Sequence, residues 1–229
     1  MTESADNNPN NAAEVLISPN PSLSQLELDK PIELGIMASG SGTNFEAVAQ
    51  AIADGKLNAE IKVLIYNNPH AKVRSRAEKW NVPTILINHR EYKQREDLDR
   101  EIVATLKEYK AEWVVMAGWM RVVTQVLLDG FPKRVINIHP SLLPSFKGIY
   151  AIEQALEAKV KITGCTVHLV SLEVDSGKIL MQAAVPVLPD DTIDTLHTRI
   201  QIQEHFILPQ AIALAAWQEQ DQSISRTEI

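Results

Sequence analysis

The chain has 229 residues, of which 45% are apolar and 22% charged, a composition typical of a globular protein with a substantial core. Its formal net charge of −7 argues against binding to a nucleic-acid backbone, because sequence-independent affinity for phosphates comes from clustered Lys and Arg. The single cysteine, Cys165, excludes an intrachain disulfide and any zinc or iron–sulfur site built from several cysteines.

The first 30 residues are predicted to be a disordered extension. Asn and Pro interrupt every periodic pattern there, and the first aromatic residue is Phe45. A basic start and an apolar core, which mark a secretory signal, are both missing, and Glu3 and Asp6 argue against a transit peptide. No run of 18 apolar residues occurs in the chain, so we expect a cytoplasmic protein that does not span a membrane.

From Pro31 onward, short apolar runs alternate with helical patterns. Strands are predicted over residues 32–38, 61–66, 84–87, 113–117 and 135–138, and helices over 44–53, 71–80 and 91–109. These strands lack strict alternation of apolar and polar residues, which indicates a mainly parallel sheet with helices on both faces.

The pattern changes in the C-terminal part of the chain. Longer strands over 162–170 and 178–185, joined by a turn around Asp175-Ser176-Gly177, predict an antiparallel hairpin. A closing helix is expected to begin near Asp190 or Asp191, and Pro209 is expected to bend or end it. The fold prediction is one doubly wound, Rossmann-like α/β domain over 31–218 with this hairpin added, followed by a polar tail over 219–229.

A glycine-containing loop follows the first predicted strand. Gly40 and Gly42 allow a sharp turn, and the N-terminus of the next helix attracts anions. Phe45 stands where a dinucleotide site has its third glycine, and the second strand ends in Asn67 and Asn68, not in an acidic residue. A phosphate monoester or mononucleotide-like group fits this loop better than a dinucleotide, and a plain tight turn remains the alternative.

Two polar side chains interrupt the apolar strand near residue 139. Asn137 and His139 are two residues apart, so they share one face of the strand close to its carboxyl end. An amide beside an imidazole suits a reaction that forms an oxyanion, although the pair could equally satisfy each other or a loop backbone. A carboxylate from Asp175 would favour protonated His139, but an Asp beside a Gly is also a common turn residue.

Other candidates carry weaker signals. Residues 119–123 mix apolar side chains with Arg121 at a strand end, which suits a flat heterocycle with an acidic tail or plain core packing. Glu204 and His205 face either a pocket or solvent, whereas His70, His89 and His197 fit the protein surface. Histidine spacing typical of a metal site is missing, so no metal is expected.

Four segments together carry a family resemblance. They are residues 37–44, 117–121, 137–144 (Asn-Ile-His-Pro-Ser-Leu-Leu-Pro) and 174–177 (Val-Asp-Ser-Gly). They resemble the folate-dependent formyltransferases, and the glycine loop narrows the resemblance to the phosphoribosylglycinamide branch. The resemblance extends from about residue 32 to residue 215.

This resemblance implies transfer of a formyl group from 10-formyltetrahydrofolate to the amine of 5'-phosphoribosylglycinamide, in purine biosynthesis, with small-molecule partners and no metal. By analogy, the catalytic residues are Asn137, His139 and Asp175. The residues implied to bind the substrate are Gly42, Thr43, Asn44 and Glu204. Those implied to hold the folate are Arg95, Met120, Arg121, Val122, Val123 and Asn137. A homodimer is compatible with the resemblance.

Three rival functions remain at this point. Methionyl-tRNA formyltransferase shares the catalytic residues but carries a further C-terminal domain, for which the sequence after Trp217 has no room. Formyltetrahydrofolate hydrolase adds an N-terminal regulatory domain too large for 30 residues. A non-catalytic module that binds folate or nucleotides is disfavoured because Asn137, His139 and Asp175 are all present.

Overall fold

The computed structural model describes residues 16–21 and 26–227, which include one eight-stranded sheet and six α-helices. The strands are β1 (Ile17–Ser18), β2 (Ile32–Ala38), β3 (Ala59–Tyr66), β4 (Thr84–Leu86), β5 (Trp113–Met116), β6 (Val135–His139), β7 (Ile162–Leu169) and β8 (Ile179–Pro186). The helices are α1 (Thr43–Ala53), α2 (Val73–Lys79), α3 (Arg95–Glu108), α4 (Gln125–Gly130), α5 (Ala151–Glu157) and α6 (Ile193–Thr227).

The strand order is β1-β8-β7-β6-β5-β2-β3-β4. Strands β2 to β6 pair in parallel, whereas β7, β8 and β1 continue the sheet with antiparallel pairing. This confirms the predicted α/β fold with an antiparallel hairpin. After β2, the chain adds β3 and β4 on one side of that strand and then β5 and β6 on the other. This switch places a crevice at the carboxyl ends of β2 and β5, where open α/β sheets bind ligands.

Helices cover both faces of the sheet, as predicted from strands in which apolar and polar residues do not alternate. Adjacent residues of β2 point to opposite faces: Ile36 belongs to one buried cluster and Met37 to the other. The first cluster contains apolar side chains of α1, α2, α5 and α6, and the second contains those of α3 and α4. Burial on both faces explains why these strands are continuously apolar.

The structure corrects the predicted end of the last helix. Helix α6 continues through Pro209 to Thr227, so Pro209 does not end it, and residues 219–227 are helical although the sequence assigns them to a tail. Burial of Leu208 and Ile212 against the sheet offsets the loss of the backbone hydrogen bond that proline cannot form.

The short helices α4 and α5 were not predicted. Within the described residues, no helix combines the length and apolar character needed to cross a bilayer.

Part of the predicted disordered extension contacts the domain. Ile17 and Ser18 pair with Ala183 and Gln182 of β8, and the Ala184 N–H donates to the Leu16 carbonyl at 2.9 Å. These contacts extend the sheet by one short strand. Residues 1–15 and 22–25, which the same prediction includes, lie outside the described part of the chain.

Leu26→Ala tests whether the segment before β2 packs on the core. Leu26 is only 8% exposed within the first buried cluster, so we expect the free energy of unfolding to fall by about 2–4 kcal/mol. Leu16→Ala is the matched control, because Leu16 is 73% exposed and its loss should cost less than about 0.5 kcal/mol. Equal effects of the two substitutions in urea denaturation would contradict this packing.

Candidate active site

The carboxyl ends of β2, β5 and β6 open into a cavity of about 690 Å³. The resemblance implies twelve site residues, and eleven of them line this cavity. Ten of these come from strand ends, the glycine loop and the last helix: Gly42, Thr43, Asn44, Met120, Arg121, Val122, Val123, Asn137, His139 and Glu204. Asp175, from the β7–β8 connection, also lines it. Arg95, the exposed first residue of α3, is the exception and lies outside the lining.

His139 is the last residue of β6, and two contacts hold its buried imidazole. Nε2 lies 2.8 Å from the Phe146 carbonyl oxygen, to which it must donate, since a carbonyl only accepts. Nδ1 lies 3.4 Å from Oδ2 of Asp175. The contact between Asp175 and His139, which sequence spacing alone does not establish, is therefore present in the fold.

A second histidine completes this group. In the antiparallel pairing of β6 with β7, His168 stands opposite Asn137, and its Nε2 lies 3.1 Å from the Asn137 amide nitrogen. The same Nε2 lies 3.6 Å from Oδ1 of Asp175, while Nδ1 of His168 faces the Leu169 carbonyl oxygen at 3.0 Å. His168 thus links the amide expected to stabilise an oxyanion to the carboxylate that faces His139.

Asp175 lies at the centre of these contacts. Burial alone would raise its pKa, but His168, the Gly148 backbone N–H at 2.8 Å and the charge of His139 outweigh burial and hold the pKa below its usual range. The carboxylate is therefore ionised at neutral pH. It can hold the orientation of the His139 ring and stabilise a positive charge on it.

The glycine loop forms another wall. Gly42 precedes α1 with φ of 76°, a conformation that favours glycine, and a Cβ there would lie 2.3 Å from Cγ2 of Val73. Helix α2 supports the loop from behind: the Val73 N–H donates to Gly40 O at 3.1 Å, and Arg76 Nε donates to Ser41 O at 2.8 Å. Arg76 also forms an ion pair with Glu46 of α1. These contacts leave the N-terminus of α1 directed at the cavity.

Helix α6 closes the cavity opposite this loop. Gln201 Nε2 donates to the Thr43 hydroxyl at 3.0 Å, and Glu204 accepts from the Asn44 amide at 3.0 Å. Glu204 is 6% exposed, and burial raises its pKa although Asn44 and His197 oppose the shift. In the described part of the chain, the buried Oδ1 of Asn44 has no hydrogen-bond partner, although Asn44 lines the cavity.

The segment over residues 118–124 follows β5 and is anchored at both ends. Its first part is held by Ser39, whose N–H donates to Gly118 O at 3.0 Å and whose hydroxyl accepts from Met120 N–H at 2.9 Å. At its other end, the Thr124 N–H donates to the buried carboxylate of Asp99 on α3 at 2.6 Å. The segment implied to hold the folate is therefore tied to the glycine loop and to the helix that begins with Arg95.

Sequence reasoning missed three residues around this cavity. His168 was not considered, although it stands between apolar Val167 and Leu169. Its role depends on the β6–β7 register, which the sequence does not reveal. His197 was assigned to the surface, yet it lines the cavity while remaining exposed. Asp99 lies on a strongly charged helix, and only its burial distinguishes it from its neighbours.

Comparison with known proteins identifies the family to which the chain belongs. A family model described as formyl transferase matches residues 33–212. The phosphoribosylglycinamide formyltransferase of Bacillus subtilis is 36% identical over 180 residues, which are 79% of this chain and 92% of that protein. The human trifunctional purine biosynthetic protein adenosine-3 is 41% identical over 187 residues, which are 82% of this chain; the match spans only 18% of the human protein's length.

Solved structures agree with the sequence matches. Glycinamide ribonucleotide transformylase 1 from Symbiobacterium toebii superposes with a TM-score of 0.81 at 41% identity, covering 82% of this chain and 89% of that one. Phosphoribosylglycinamide formyltransferase from Bacillus halodurans gives a TM-score of 0.76 at 43% identity, with 80% and 93% coverage. The family-model match over residues 33–212 includes β3 to β6 and all of β2 except its first residue.

Gly42→Ala tests the steric constraint on the glycine loop. Gly42 and Gly55 both have positive φ, 76° and 69°, but only a Cβ at residue 42 would collide with Val73. We expect Gly42→Ala to lower the free energy of unfolding by about 1–3 kcal/mol more than the control Gly55→Ala, because the neighbouring helix must shift. Equal losses in urea denaturation would show that the close approach to Val73 is unimportant.

Glu204→Gln tests the burial of that carboxyl through pH. Because the pKa of Glu204 is raised in the folded protein, the folded state binds this proton more tightly than the unfolded chain does. Wild-type stability therefore falls as pH rises from about 4.5 through the folded pKa, and Glu204→Gln escapes that loss. We expect the unfolding free energy of the variant relative to wild type to increase between pH 4.5 and 7. A difference between Glu204→Gln and wild type that stays flat over this pH range would contradict the account.

Proposed function

The chain belongs to the formyl transferase family, and on that premise we propose that it transfers a formyl group from 10-formyltetrahydrofolate to the amine of 5'-phosphoribosylglycinamide, a step of purine biosynthesis. The observation that carries the proposal is the contact of His139 with ionised Asp175 in the cavity that also holds Asn137 and the glycine loop. The names of the relatives from Bacillus subtilis and Symbiobacterium toebii support the same substrate.

The phosphoribosyl substrate would bind between α1 and α6. The backbone N–H groups of Gly42, Thr43 and Asn44 begin α1, where the helix dipole favours an anion such as the substrate phosphate. Glu204 lies beside Asn44, so a carboxyl and an amide acceptor are available to the N–H groups of the glycinamide. The unpartnered Oδ1 of Asn44 is consistent with a bound donor.

The formyl donor would occupy the wall formed by residues 120–123. Met120 and Val122 are exposed apolar side chains, 67% and 45% accessible, which suit the flat ring system of a folate. Arg121 Nε is buried and has no hydrogen-bond partner within the described residues, which leaves a donor for a polar group of the ligand. Arg95 is proposed as a further folate contact, because Asp99 on the same helix is hydrogen-bonded to Thr124 at the end of this segment.

Transfer requires stabilisation of the oxyanion that forms when the substrate amine attacks the formyl carbon. The Asn137 amide has two hydrogens, so it can donate to that oxygen while it contacts His168. One such donor is typically worth about 3 kcal/mol of activation free energy. The C–N bond to the donor then breaks, the attacking amine loses a proton, and the departing folate nitrogen gains one.

His139 would serve in this step as an electrostatic donor and proton carrier, with Asp175 stabilising its cationic form. Its Nε2–H is bound to the Phe146 carbonyl in this structure, so donation to the substrate oxygen requires exchange of that partner.

The predicted cytoplasmic location and homodimer remain predictions.

Turnover with both substrates tests this function and separates it from hydrolysis. With donor labelled at the formyl carbon, we expect the label in the amide of the product and little free formate, whether or not ATP is added. His139→Ala should lower kcat roughly 100-fold or more, because it removes the proton carrier. His70→Ala, an exposed histidine outside the cavity lining, should retain wild-type kcat.

Free formate as the main product, with or without the amine, would identify a hydrolase instead. No reaction with either acceptor would support a module that binds folate or nucleotide without catalysis. Either result overturns the proposed transfer.

A further inference from the structure

His197 lies on the face of α6 that borders the cavity. Gln201 and Glu204 follow it by four and seven residues, so the three side chains share one side of the helix, and all three line the cavity. Gln201 is hydrogen-bonded to Thr43 at the N-terminus of α1. His197 is therefore about 6 Å along the helix from a residue that contacts the glycine loop.

The distribution of positive charge makes this histidine distinctive. Among the described residues that line the cavity, those able to carry positive charge are Arg121, His139, His168 and His197. The first three belong to β6, β7 or the segment after β5, whereas His197 alone is on α6, opposite the glycine loop. The loop itself offers backbone N–H groups, hydroxyls and an amide, all of them neutral.

We propose that His197 is a further contact for the phosphate of the phosphoribosyl substrate and raises the preference for phosphorylated over unphosphorylated ligands. A phosphate monoester carries close to two negative charges at pH 7, and the backbone N–H groups of the loop neutralise it only in part. An imidazole N–H from the opposite wall supplies a second donor from a different direction. His197 is exposed, so its side chain is free to turn toward the ligand.

This inference rests on the proposed function, and binding measurements test it apart from catalysis. The probe is ribose 5-phosphate, with ribose as its unphosphorylated counterpart, titrated calorimetrically into the 229-residue chain. His197→Ala should weaken ribose 5-phosphate binding about tenfold, as expected for loss of a hydrogen bond to a charged group, and leave ribose binding unchanged. His197→Lys should restore most of the affinity, because lysine again places an N–H donor on this wall of the cavity.

Kinetics provide the second readout. His197→Ala should raise the KM for phosphoribosylglycinamide about tenfold with the KM for the formyl donor and kcat within twofold of wild type. His70→Ala is the matched control and should change neither KM, since His70 is exposed and lies outside the cavity lining.

Ribose 5-phosphate affinity and substrate KM both within twofold of wild type in His197→Ala would overturn the inference and leave the proposed transfer intact. Failure of wild-type protein to transfer the formyl group would overturn the proposed function, and the calorimetric comparison would still decide whether His197 binds phosphate.

Discussion

A buried carboxylate needs hydrogen bonds or opposite charge in compensation, and Asp175 obtains both by drawing separate parts of the chain together. Its oxygens face His139 on β6, His168 on β7 and the Gly148 N–H in the connection after β6. Asp175 adopts φ of 50°, and Phe146 and Tyr150 have φ of 55° and 64°. Left-handed conformations are unfavourable for such residues, so contacts such as those of Asp175 must offset the local strain.

The two proposed ligand regions are coupled through equally specific contacts. Ser39 belongs to the turn that begins the glycine loop, yet its backbone and hydroxyl hold Gly118 and Met120 of the other region. Asp99 fixes the far end of that region at Thr124, and burial raises the pKa of Asp99 even though Thr124 opposes the shift. Displacing either region would disturb hydrogen bonds that also hold the other. The contacts therefore favour a cavity that is already formed before a ligand binds.

Much of the fold was predictable because apolar runs and helical periodicity are local properties. The parallel strands and the hairpin were confirmed, with ends that differ by one or two residues in most cases. Whether α6 ends at Pro209 or continues through it was not predictable, since this depends on how much apolar surface α6 buries. The same limit applies to the site: Asn137 and His139 are neighbours in sequence, whereas the contacts of Asp175 and His168 depend on strand register.

The state of Asp175 tests the account most directly. Its carboxyl carbon can be followed by NMR during a pH titration of protein labelled with carbon-13 in aspartate, with Asp175→Asn used to assign the signal. We predict that Asp175 titrates below the usual range of aspartate, because His168, Gly148 and His139 stabilise its charge against burial. A pKa at or above the usual range would show that burial dominates, and would contradict the role of Asp175 as the ionised group that organises the cavity.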